Sequence, residues 1–89
     1  MNYGKVDSAL AAAVEQGVSP DALLEVSVRT ENVPDHLQQQ ELVQLGVQGV
    51  GSDRRIFSAR TRLREVERLT DLPWVRLVSL AQVLRPLGQ

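Results

Sequence analysis

Hydrophobic positions along the chain switch between a helical and an alternating period, and the switches mark out the elements. Val6, Leu10, Ala13 and Val14 lie at i, i+4, i+7 and i+8, which predicts a short amphipathic helix over 6–16. Asp7 or Ser8 can cap its start, and Gly17 stands where a helix end favours a left-handed residue. Its apolar face is largely alanine, so little area is available and loose docking is expected. Ser19-Pro20-Asp21 interrupts the pattern and makes a linker. LLEVSVRT (23–30) then alternates, with Leu24, Val26 and Val28 on one side and Glu25, Ser27 and Arg29 on the other, as in a half-buried strand.

Val33-Pro34-Asp35 ends that strand, and Asp35 is the N-cap expected for a helix through Leu45, with Gly46 as its stop. Gln38-Gln39-Gln40-Glu41 interrupts the apolar face of this helix, leaving Leu37, Leu42 and Leu45 to hold it. VQGVGSDRRIFSARTR (47–62) reads as a hairpin around Gly51-Ser52-Asp53, its second strand alternating Phe57, Ala59 and Thr61 against Ile56, Ser58, Arg60 and Arg62. Thr61 or Arg62 opens a helix to about Leu72, with Leu63, Val66 and Leu69 at three-residue spacing and Pro73 beyond its end. VRLVSLAQVL (75–84) is a long apolar strand, and Arg85-Pro86-Leu87-Gly88-Gln89 is a tail in which Pro86 blocks further pairing.

The order is therefore a helix followed by strand–helix–strand–strand–helix–strand. That is the split βαβ arrangement of a ferredoxin-like α+β sandwich, a four-stranded antiparallel sheet with two helices on one face. The other face is left open to solvent or a partner. Residues 1–22 form the N-terminal helix and linker, and 23–89 the ferredoxin-like domain with its C-terminal tail.

Composition narrows the chemistry. Eighty-nine residues suit one domain, and 43% hydrophobic content is enough for one core. The absence of cysteine removes disulfides, thiol nucleophiles and thiolate metal sites, and a single histidine, His36, excludes a multi-histidine metal site. No catalytic residues, metal or cofactor are expected. A basic start followed by an apolar run is missing, and no stretch nears the roughly 18 apolar residues of a membrane span, so the chain reads as cytoplasmic and free of the membrane.

A net charge of −1 gives no whole-molecule field toward nucleic acid or membrane, but its distribution is uneven. Residues 1–45 carry Lys5 and Arg29 against seven acids, whereas 46–89 carry eight arginines against four acids. The simplest reading is that the halves neutralise each other across one compact domain; the other is an interaction surface. Arg60 and Arg62 project from one face of a strand, and Arg64 and Arg68 lie four apart on the next helix, with Glu65 and Glu67 interleaved to pair with them. Arginine forks suit carboxylates and phosphates. Sheets of this fold that bind RNA stack bases on strand aromatics, and only Phe57 lies in a strand, so nucleic acid is not expected. An acylphosphatase-like activity would need a phosphate-cradling loop after the first strand, and Thr30-Glu31-Asn32-Val33-Pro34 lacks the glycines and cations for one. His36 has no acidic or nucleophilic partner at a telling spacing, and Asp53-Arg54-Arg55 reads as a solvated hairpin tip.

Several pieces in this order carry a family resemblance: Val26-Ser27-Val28-Arg29, Leu45-Gly46-Val47, Leu63-x-x-Val66-x-x-Leu69, LPWVR (72–76) and LRPL (84–87). Spread over 23–87, they resemble the small N-terminal domains of bacterial subtilisin-like serine peptidases, of the propeptide or peptidase-inhibitor type. The resemblance implies a non-enzymatic module that packs its open sheet face on a subtilisin-like catalytic domain. It also implies that the tail Leu84, Arg85, Pro86, Leu87, Gly88 and Gln89 lies substrate-like in the active-site cleft, as inhibitor or folding chaperone. Arg60 and Arg62 would join the partner-binding surface. The alternative is a ferredoxin-like module, monomeric or weakly homodimeric, that dimerises through its open face or an edge strand in a regulatory or scaffold role. A third reading is an RNA- or anion-binding domain using Arg60, Arg62 and Arg64.

Overall fold

The structure, a computed structural model, describes residues 1–51 and 53–85. A 3₁₀ turn (Tyr3–Lys5) precedes α1 (Ser8–Glu15), β1 (Leu23–Thr30), α2 (His36–Gln44), β2 (Val47–Gln48), β3 (Ile56–Arg62), α3 (Leu63–Asp71) and β4 (Val75–Arg85). The strands form one sheet in the order β2-β3-β1-β4, with every neighbouring pair antiparallel. This is the ferredoxin-like βαββαβ sandwich expected from the element order, with the short N-terminal helix added.

Alternation in β1 and β3 sets the sheet's two faces. Leu24, Val26 and Val28 on β1, Phe57 and Ala59 on β3, and Val75 and Val78 on β4 are buried together with Leu42 of α2 and Leu63, Val66 and Leu69 of α3. Each fully buried side chain of this kind contributes about 1.5–3 kcal/mol. The three-residue spacing of α3 thus faces the sheet as expected. Its last helical residue is Asp71, because Leu72, next to Pro73, takes an extended conformation.

α2 differs from expectation in what holds it. A capping box between Asp35 and Gln38 fixes its start. At 3.6 residues per turn, Gln38, Leu42 and Leu45 share the inward side, so Leu37 turns outward and is 70% exposed. Only Leu42 is buried within the helix. The expected hairpin is also lopsided, since β2 has two residues and 49–55 carry no regular structure among those described. Gly46 makes the turn into β2 at φ +90°, where a Cβ would lie 3.1 Å from the Thr61 Cβ.

The N-terminal helix is docked, contrary to the loose contact expected of its alanines. Leu10 is completely buried in the same core as β1. Asp7 caps the helix by accepting from the Leu10 N–H at 2.9 Å and also accepts from the Leu80 N–H of β4 at 3.2 Å. Its own N–H donates to the Val78 carbonyl, and Val6 pairs with Val78 as a parallel bridge rather than joining the helix face. One leucine and one bridging carboxylate therefore accomplish what the small apolar face could not. The preceding segment closes over α3, where Lys5 Nζ donates to the Leu72 carbonyl at 2.7 Å and the Asn2 N–H donates to Thr70 Oγ1 at 3.2 Å. Among the described residues no helix is long and apolar enough to cross a membrane.

Candidate functional site

Among the described residues no helix covers the second face of the sheet, and strand register arranges its side chains in rows. Arg60 of β3, Glu25 of β1 and Gln82 of β4 form one row, Ser58, Ser27 and Ser79 the next, and Ile56, Arg29 and Leu77 a third. Glu25 ties the first row together. Its carboxylate lies 3.8 Å from Arg60 Nε and accepts from Gln82 Nε2 at 2.9 Å. Arg60 is well exposed, so solvent screens this pair and its worth is at most about 1 kcal/mol. Arg62 stands exposed one step along the same strand face. The face thus mixes arginines and other polar side chains with apolar Ile56 and Leu77, and is not a uniformly apolar docking plate.

Arg64 does not join this surface. It pairs with Asp21, while the N–H groups of Leu63 and Arg64 donate to the carbonyls of Ala22 and Pro20. The linker thereby closes the first turn of α3, which has no side-chain cap of its own. Arg68 lies 3.9 Å from Glu65 on the same helix, so Glu65 serves as a local partner, whereas Glu67 makes no salt bridge among the described residues. Among the described residues, neutralisation between the halves of the sequence is realised at two points, Arg60–Glu25 and Arg64–Asp21. Phe57 is buried on the helix side and offers no stacking surface on the open face.

At the end of this face where β1 finishes, three chain segments border an open cleft of about 640 Å³. Arg29 comes from β1, Arg54 and Arg55 from the approach to β3, and Arg76 from the start of β4, with Glu31 and Asp53 also in the wall. Arg54 lies 3.9 Å from Asp53, whereas Arg29, Arg55 and Arg76 make no salt bridge among the described residues. Thr30 fastens the walls. It is almost fully buried, its N–H donates to the Arg55 carbonyl at 2.9 Å, and its hydroxyl donates to the Asn32 carbonyl at 2.7 Å. The Glu31 N–H donates to the Trp74 carbonyl at 3.0 Å, which holds the approach to β4.

This cleft is what sequence reasoning missed. The loop 30–34 contains no cation of its own, but the fold brings four arginines to the cleft beside it, and Asp53-Arg54-Arg55, exposed as a solvated tip is, also lines the cleft wall. Arg76 comes to the same cleft as Arg29 because Val75 pairs with Thr30 and Leu77 with Arg29, a register that no local motif announces.

His36 is exposed, with its Nε2 3.2 Å from Gln40 Nε2, and no acid or nucleophile accompanies it among the described residues. Among those residues no group of three or more histidine, aspartate or glutamate side chains is placed to hold a metal. The buried polar side chains there are Thr30, Thr61 and Thr70. Of the tail, Leu84 is half-buried near the end of β4 and Arg85 closes the strand opposite Leu23. Pro86, Leu87, Gly88 and Gln89 lie outside the described residues.

The fold and this face define a class: a ferredoxin-like sandwich with one helix-covered side and one uncovered, arginine-bearing side. Comparison with protein families, curated proteins and solved structures found no match to the chain.

Proposed function

We propose that this chain is a non-enzymatic protein-binding module, propeptide- or inhibitor-like, whose partner is a subtilisin-type serine peptidase. The observation that carries the reading is the uncovered sheet face with Arg29, Arg60 and Arg62 on it. A large sheet surface of this charge suits a partner face rich in carboxylates, where arginine forks make bidentate contacts. The tail 84–89 then enters the active-site cleft by backbone pairing, as an added strand. β4 suits that role because it is an edge strand running out to Arg85.

The homodimer alternative has less support. A two-fold contact of this face with itself sets the same arginines against one another. The sheet edges are also poor templates: β2 has two residues, and Val6 already occupies the outer side of β4 at Val78.

The test is a titration of the chain, and of a version ending at Leu84, against a subtilisin-type peptidase with a chromogenic peptide substrate. Competitive inhibition by the full chain and its loss on truncation are expected. Rapid digestion without inhibition would overturn the cleft-bound tail.

A further inference from the structure

We infer that the cleft between the end of β1, the approach to β3 and the start of β4 binds an oligophosphate-type polyanion. This goes beyond the peptidase reading and, apart from the shared Arg29, rests on different residues. Arg29, Arg54, Arg55 and Arg76 converge there from three segments, and only Arg54 has a carboxylate beside it among the described residues. Like charges that border one cleft repel, and a bound anion offsets that repulsion.

The chemistry of the ligand follows from the walls. Four arginines line the cleft with two acids, Glu31 and Asp53, so a single carboxylate ligand leaves positive charge uncompensated whereas a multiply charged one does not. Guanidinium forks match phosphate oxygens with paired hydrogen bonds. A volume of about 640 Å³ lies within the range of small-molecule sites, roughly 300–1,000 Å³, with room for several linked phosphate groups. Among the described residues no aromatic side chain lines the cleft, so the ligand is held by its anionic groups and not by stacking of a base. The hydrogen bonds of Thr30 and Glu31 hold the three walls in place before any ligand arrives, which lowers the ordering cost of binding.

Inorganic tripolyphosphate is the probe, added to the full chain while its thermal midpoint and binding heat are followed. A saturable rise in midpoint that weakens with added salt is expected. Arg29→Gln and Arg76→Gln should each weaken binding roughly tenfold or more, as for loss of one charge-assisted hydrogen bond. Arg62→Gln and Arg64→Gln should leave it unchanged. Arg76 is exposed, so Arg76→Gln keeps the test decisive even if Arg29→Gln fails to fold. The proposal is overturned by the absence of a saturable response. It is equally overturned by an equal response to sulfate at matched ionic strength or to an oligo-aspartate of matched charge, and by full binding in Arg76→Gln. Peptidase inhibition is not read in this assay, so failure here leaves the peptidase reading standing, and the reverse also holds.

Discussion

Asp7 is where a single side chain decides whether the N-terminal helix belongs to the domain. Asp7→Ala removes the one oxygen, Oδ1, that accepts both from the Leu10 N–H at 2.9 Å and from the Leu80 N–H at 3.2 Å, while leaving the backbone bond to Val78 intact. Loss of a helix cap costs about 0.5–2 kcal/mol. Loss of the bond to β4 adds about 0.5–1.5 kcal/mol, because the Leu80 N–H is left partly buried without its acceptor. The expected total is about 2 kcal/mol, which in a domain of this size lowers the melting midpoint by about 10 °C. Asp7→Asn keeps an oxygen acceptor and should lose less than half as much. Urea unfolding with linear extrapolation reads the free energy. Amide exchange at Leu80 reads the site, and its protection should fall in Asp7→Ala ahead of that of the central strand β1. If Asp7→Ala stays within about 0.5 kcal/mol of the parent and Leu80 exchange is unchanged, the claim that Asp7 fastens α1 to β4 is wrong.

Two further pairs of substitutions probe the fold. Leu42→Ala should cost about 2–5 kcal/mol and Leu37→Ala less than about 0.5, since α2 buries only the former; equal costs in denaturant melts would contradict the helix orientation. Gly46→Ala should be worse than Gly17→Ala. Both positions have positive φ, a strain of about 1–2 kcal/mol, but only at Gly46 does the new Cβ meet neighbours, Thr61 Cβ at 3.1 Å and the Arg60 carbonyl at 3.2 Å. Thermal midpoints of the two variants decide this.

Local pattern was sufficient for most of the architecture. Alternation at Leu24, Val26 and Val28 and at Phe57, Ala59 and Thr61 specified which side of β1 and β3 is buried, because side chains on a strand must point to opposite faces. The same alternation placed Arg60 and Arg62 on the open face. Three-residue spacing specified the buried side of α3, and Asp35 and Asp7 are caps where short polar residues before a helix are expected to be.

What the chain pattern left undecided depends on contacts between residues distant in sequence. Whether α1 docks was settled by Leu10 entering the core and by Asp7 reaching Leu80, 73 residues away. That Leu37 faces outward followed from where the sheet lies relative to α2, which the spacing of three leucines does not encode. Arg64 reads as part of a basic cluster in sequence but is taken up by Asp21 of the linker. The arginine cleft is the clearest case. Its members stand at positions 29, 54, 55 and 76, and only the antiparallel register of β1 with both β3 and β4 brings their charges to one end of the sheet. Periodicity fixes the direction in which a side chain points from its own element; register and packing fix what it meets there.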